Sequence, residues 1–344
     1  MLKYNNNKLL ITFFILISIL SLFIGFFLNE DLSTGGSEFD FNLTWRVIVD
    51  FSNLNFEESY KYTRHVPLHY LILSVIYKIF NDQYLVRLIY LFLSLLLPYF
   101  LYLNLTKIYN YPKITLLLLS FSIILLPYFR GSAIWPNAHL TALFFLIIGN
   151  YFYLKSINEN KFIFSSINLF FLACATYTMQ TYVIFFIYYL SYYFINKSKI
   201  EFLKLFLFCI LLGLPGLYFI TFNERIADIT ISKDFYYSLV TNFSIIAFFL
   251  IIFTLNKDSF SVIKKIFLKL SKIEIFSILI LFFFIIYNFE YPHITGGGFF
   301  YKVSKFLLNN NLIFFISFLI GMVLSFLLIN KDKNFIIIFL LMNG

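Results

Sequence analysis

Of the 344 residues, 61% are hydrophobic and only 12% charged, with a mean hydropathy of +0.86 and a formal net charge of +9. Soluble domains carry about 25% charged residues, and a water-soluble body of this length cannot hide so much apolar surface. A cytosolic enzyme, a secreted globule, a coiled coil and a disordered chain are therefore excluded, and the expected class is an all-α polytopic membrane protein. A pI near 9.2 would point to nucleic acid in a soluble chain. Here the lysines flank apolar runs, where basic residues set orientation, and no nucleic-acid partner is expected. Cys174 and Cys209 both sit inside apolar runs and offer neither a disulfide framework nor a metal spacing.

A membrane-crossing helix needs about 20 mostly apolar residues. The first such run is Leu9 to Leu28, preceded by Lys3 and Lys8 and followed by Asn29-Glu30-Asp31 rather than by small residues, which reads as a retained helix and not a signal peptide. Further runs lie at 85–106, 114–127, 138–154, 162–176, 180–194, 203–222, 237–255, 273–288 and 312–330. A last, incomplete one begins at 335, for about 11 transmembrane helices in a single integral membrane domain over 1–344. Within it, 29–84 forms the first outer loop, 85–222 the core helices and 223–344 a variable C-terminal part.

The segment Val66 to Phe80 is apolar but only 15 residues long, with His69 and Lys78 inside it. That length suits an interfacial helix better than a span. With 66–80 kept outside and the N-terminus cytoplasmic, 16 of the 26 basic residues fall inside; if it spans, only 9 do. The positive-inside rule favours the first arrangement. Twelve of the 17 acidic residues then lie outside. The longest hydrophilic segment becomes one periplasmic loop with juxtamembrane helices, in a multi-pass protein of the bacterial inner membrane.

Ionisable groups are scarce, so their placement matters. No phosphate-binding GxxxxGK[ST] or GxGxxG sequence is present, and no acidic or Arg residue sits deep in a late span in the manner of a proton relay, Glu274 lying at a span end. The first outer loop, by contrast, opens with Glu30, Asp31, Glu38 and Asp40 and closes with Arg64-His65-Val66-Pro67-Leu68. Carboxylates at one end and cations at the other form a candidate reaction site. A carboxylate would serve as general base, and Arg64 and His65 would hold a phosphate. His65 and His69 have metal-ligand spacing on a helix but no third partner, so no metal site is assigned. Gly296-Gly297-Gly298, with His293 and Lys302, reads as a flexible loop.

A first transmembrane helix, an acidic outer loop and a closing His-x-Pro-Leu-x-Tyr together resemble the GT-C superfamily of membrane glycosyltransferases. The likeness is to bacterial relatives of the protein-mannosyltransferase and lipid A aminoarabinose-transferase families. Those often carry His-Pro-Pro-Leu where this chain has His65-Val66-Pro67-Leu68, one Pro fewer. Their Arg opening a long apolar helix matches Val86-Arg87-Leu88, and their Pro-then-Arg outer turn matches Leu126-Pro127-Tyr128-Phe129-Arg130. The resemblance covers about residues 10–195.

It implies a polyprenyl-phosphate-linked sugar as donor and a glycan, lipid or protein acceptor on the periplasmic face, in contact with membrane lipids. It further implies a base at Asp40 or Asp31; no cofactor is assigned, and metal dependence is left open. Arg130, Trp135-Pro136-Asn137-Ala138 and His139 fall in the second outer loop, either facing the same site or anchoring the interface. Competing expectations are a transporter or flippase of lipid-linked oligosaccharide, an O-antigen-polymerase-like protein and a non-catalytic assembly subunit.

Overall fold

The computed structural model describes residues 2–31, 36–56, 66–222, 240–247, 264, 268, 271–289 and 298–331. Among these every regular element is helical. The chain divides into two compact units, Met1–Asp228 and Ile229–Gly344.

The first unit contains α1 (Leu2–Phe27), α2 (Gly36–Ser52), α3 (Leu68–Phe80), α4 (Gln83–Ser94) and α5 (Leu96–Ile108). It continues with α6 (Lys113–Phe121), α7 (Pro127–Ile134), α8 (Ala138–Glu159), α9 (Phe162–Thr176), α10 (Ile184–Asn196) and α11 (Lys199–Phe222). Asparagine ends three of them in the left-handed conformation, Asn29 after α1 (φ 50), Asn81 after α3 (φ 49) and Asn160 after α8 (φ 48). Asn tolerates that region better than other non-glycine residues. At α1 the reversal is closed by Glu30 N–H donating to the Gly25 carbonyl at 2.8 Å, the six-to-one bond of a Schellman end. Asp82 starts α4 by accepting from the Leu85 N–H at 3.1 Å.

This is a membrane protein. Among the described residues four stretches are long and apolar enough to cross a bilayer: Leu9–Phe27, Gln83–Ile108, Ala138–Glu159 and Lys199–Leu217. Their outward faces are bare hydrocarbon, with Leu16, Leu20 and Ile24 of α1 and Leu203, Leu207 and Leu211 of α11 all exposed, which only lipid tolerates over such an area. The apolar pair Lys113–Leu125 and Pro127–Ile134 meets the same test only when taken together, and it is bent by 63° at the junction, as a broken span or a re-entrant segment is. The bend has a local cause: Leu126 precedes Pro127 and is extended (φ −70, ψ 131), and Pro127 then opens α7.

Several expected spans take a different form. Residues 180–194 divide into a 3₁₀ turn, Gln180–Val183, and the 13-residue α10. The 15 residues of α9 reach about 22 Å, short of a hydrocarbon core of about 30 Å. Residues 128–134 form no open loop; from Phe129 to Ile134 every residue of α7 is buried. The run from 335 and all but 240–247 of the run 237–255 lie outside the described residues.

Paired helix ends show which termini share a level. The Leu68 N–H donates to the Tyr177 carbonyl at 3.0 Å, joining the start of α3 to the end of α9. At the other end Lys197 Nζ donates to Asn160 Oδ1 at 2.6 Å. Between the levels, buried amides tie the helices together. Asn104 of α5 donates to the Ile147 carbonyl, Asn150 of α8 donates to Asn104 Oδ1 at 2.9 Å, and Tyr189 of α10 donates to Asn150 Oδ1 at 3.1 Å. Asn168 of α9 donates to the Gly149 carbonyl and accepts from Tyr193.

The second unit has helices Lys272–Tyr287, Gly298–Leu308 and Leu312–Lys331, around a small core of Val240, Ile285, Phe314 and Phe318.

Candidate functional site

At the level where α1 ends, polar side chains from five helices converge. Glu30, just past α1, meets Arg130 of α7 in a two-pronged ion pair: Arg130 Nε donates to Oε1 at 2.7 Å and Nη2 to Oε2 at 2.5 Å. Arg130 also donates from Nη1 to Ser21 Oγ at 3.1 Å and from Nη2 to the Ser21 carbonyl at 3.0 Å. Every nitrogen of this guanidinium is thus occupied. The hydrogen bond from Arg130 holds the Glu30 carboxyl below its ordinary pKa; partial burial opposes this, and the Arg130 charge adds to it. Gly25 makes the pair possible, since a Cβ there would collide with the Glu30 carboxylate and stand 2.7 Å from Arg130 Nη2.

The same turn holds a second arginine. Arg87, one turn into α4, donates from Nε to the Ile134 carbonyl at 3.1 Å and from Nη2 to Asn29 Oδ1 at 3.0 Å. Its guanidinium lies 3.5 Å from the Trp135 ring centroid and 5.2 Å from that of Phe26. Trp135 is fixed in turn by donating from its indole N–H to the Glu30 carbonyl at 3.1 Å. Asn29 and Glu30 therefore hold two arginines and a tryptophan by three separate groups.

Beside this lies a buried hydroxyl–imidazole group. Tyr90 donates to the Asn137 carbonyl at 3.0 Å and sits 2.9 Å from Thr141 Oγ1, which is 2.8 Å from Nδ1 of His69. Below Tyr90 and Thr141 a cavity of about 160 Å³ opens between α3, α4, α5 and α8, lined otherwise by side chains such as Ile72, Leu97, Leu140 and Phe144.

Of the residues singled out in the sequence, Asp31 accepts from the Glu38 N–H at 2.8 Å and so caps α2. Glu38 and Asp40 are exposed on α2, and Glu38 is close enough to act electrostatically on Arg87. The helix that carries them packs its buried Phe41, Val47, Ile48 and Phe51 toward α3, with Trp45 edge-on to Tyr77 at 5.1 Å. His139 begins α8, its N–H capped by Asn137 Oδ1 at 2.8 Å. Arg64 and His65 lie outside the described residues, as do Gly296, Gly297 and His293. Among the described residues no three His, Cys, Asp or Glu side chains group as metal ligands would.

The sequence placed Glu30 among the carboxylates of the first outer loop but gave it no partner, and it did not point to the His69–Thr141–Tyr90 group. Arg87 entered only through the family pattern. A signal existed for two of them: a lone charge one turn inside an apolar run, and an acid directly after a span, both ask for a buried partner.

No family model matches this chain, and no curated protein or solved structure is detectably similar to it.

Proposed function

We propose that this protein is a GT-C-type membrane glycosyltransferase, moving a sugar from a polyprenyl-phosphate donor to an envelope glycan, lipid or protein. The observation that carries this proposal is the juxtamembrane helix α2. It is docked on α3, presents Glu38 and Asp40 on its exposed side, and stands at the same level as the Arg87–Arg130 cluster. A transferase that draws its donor from lipid needs such an arrangement, a carboxylate reachable from water and cations beside it at the membrane boundary.

In the proposed reaction the acceptor hydroxyl attacks the anomeric carbon and a new C–O bond forms there. The bond from that carbon to the phosphate oxygen breaks, its electron pair leaving with the phosphate, while the hydroxyl proton passes to a carboxylate. Asp40 is the first choice for that base, being exposed; Asp31 is the second, since one of its oxygens already accepts from the α2 backbone. In this scheme the cluster faces the periplasm, the N-terminus is cytoplasmic and the chain crosses the bacterial inner membrane about 11 times, as its basic residues are distributed. Membrane-reconstituted protein given a radiolabelled polyprenyl-phosphate sugar should label an acceptor, and Asp40→Ala should abolish labelling. Full activity in both Asp40→Ala and Asp31→Ala would remove the assignment.

A further inference from the structure

In the second unit a short helix, α13 (Gly298–Leu308), stands between two longer apolar ones, α12 (Lys272–Tyr287) and α14 (Leu312–Lys331). It does not run back along α14 but lies across its end. Tyr301 and Ser304, one turn apart on α13, both reach the first turn of α14. The Tyr301 ring meets that of Phe314 at 5.7 Å, and Ser304 Oγ accepts from the Ile313 N–H at 3.0 Å while donating to the Asn310 carbonyl at 2.8 Å. Phe289, just past α12, packs against Phe314 and Phe315 of that same turn. The end of α12, the start of α14 and the helix between them therefore share one level. Asparagines build the corner: Asn309 takes the left-handed conformation (φ 50), and Asn310 Oδ1 accepts from the Leu312 N–H at 2.9 Å.

With about 3.6 residues per turn, α13 has sides of different chemistry. Tyr301 and the buried Ser304 form the side packed on α14. Phe306, 88% exposed, points away from that side. Lys302 and Lys305, both exposed, share a third side, and Leu307, 62% exposed, lies opposite them. Exposed Phe and Leu side chains are disfavoured in water and lysines in hydrocarbon. Only the boundary between the two suits this helix, with Leu307 pointed into the acyl chains and the lysines among headgroups. The charge decides which headgroups. The helix carries two lysines and no acid, and among the described residues no carboxylate lies within 4 Å of either lysine. We propose that α13 is a surface-docking helix selective for anionic phospholipid, with Lys302 and Lys305 binding the headgroup phosphates. Its partner is the bulk lipid of the bilayer, so this inference does not rest on the glycosyltransferase proposal.

The test uses the full chain with Cys174→Ser and Cys209→Ser removing the two free thiols, and Leu307→Cys labelled with bimane. In nanodiscs of mixed phosphatidylcholine and phosphatidylglycerol, either lipid carrying a nitroxide near the top of an acyl chain should quench the label. At equal content and low salt, the phosphatidylglycerol form should be preferred about two-fold or more. Adding Lys302→Gln and Lys305→Gln should bring the two lipids level, whereas Lys302→Arg with Lys305→Arg should keep the preference. High salt should also level them, which needs no substitution and serves if the Gln variant does not fold. Equal quenching in the starting protein, or a preference that survives both the Gln pair and high salt, overturns the proposal. Quenching by neither lipid would mean that a second copy or another segment covers α13, and overturns it too. So does loss of the preference on adding inorganic phosphate where sodium chloride of equal ionic strength has no effect, since the lysines would then hold a soluble anion.

Discussion

Replacing Glu30 by Gln removes the carboxylate that, among the described residues, is paired with Arg130, while leaving the side chain's shape. The Arg130 side chain is 9% exposed and that of Glu30 24%, so the consequences of cutting either partner are unequal. Removing one partner of a fully buried pair costs about 3–5 kcal/mol. Because Glu30 is partly solvated and Gln can still accept one bond, Glu30→Gln should cost about 2–3 kcal/mol. Arg130→Met should cost less, about 1–2 kcal/mol, since the stranded carboxylate can take up water. The double variant should be less destabilised than the sum, with a coupling of about 1.5 kcal/mol or more.

The pair also predicts a pH dependence. The folded-state pKa of Glu30 lies below its ordinary 4.5, so its contribution is fully present above about pH 4.5 and disappears as pH falls through the lowered value. Equilibrium unfolding in mixed neutral and anionic detergent micelles, followed by tryptophan fluorescence from pH 7 to 3, measures all of this. If Glu30→Gln unfolds no more readily than Glu38→Gln, on the exposed side of α2, or keeps the wild-type acid transition, the ion pair does not hold this end of the bundle.

Other outcomes follow from neighbouring contacts. Gly25→Ala should destabilise by about 1–3 kcal/mol through collision with the ion pair, and the penalty should shrink in an Arg130→Ser background, which a thermal-unfolding comparison of the four proteins would show. Asn150→Leu strands Asn104 Oδ1 and the Tyr189 hydroxyl and should cost about 2–3 kcal/mol; a Tyr189→Phe change added to it should cost nothing further in the same unfolding assay. Asp31→Ala should lose about 1 kcal/mol as an α2 cap, read as earlier hydrogen exchange at residues 37–39 with the remaining helices unaltered. A reporter fused after Asn81 should read periplasmic; a cytoplasmic signal there would invert the orientation.

Fold class, and the place of the long helices, were legible because lipid imposes a simple rule on composition: α1, α4 with α5, α8 and α11 are visible as apolar runs. The 66–80 segment was legible by its length, and α3 is indeed a 13-residue helix. What escaped was tertiary. Residues 128–137 carry Pro, Arg, Trp and Asn and read as a loop, yet Arg130 is charge-matched by a residue 100 positions away, so the segment can fold inward as α7. Hydropathy has no term for such a partner. The same blindness hid Gly25, whose role exists only because the Glu30 and Arg130 side chains pass over it, and the three helix-ending asparagines. The acidic character of the first outer loop was plain, but which carboxylate caps a helix and which stays free depended on the backbone of α2.

The central claim is transfer of a sugar from a polyprenyl-phosphate donor. Its most direct measurement is single-turnover transfer from a radiolabelled donor by the protein in proteoliposomes, comparing wild type with Asp40→Asn and Asp31→Asn. The expected result is label moving to an acceptor in wild type, loss of at least about 100-fold with Asp40→Asn, and a smaller loss with Asp31→Asn. Donor left intact by the wild type across a panel of envelope acceptors, or transfer unimpaired in both variants, would contradict it.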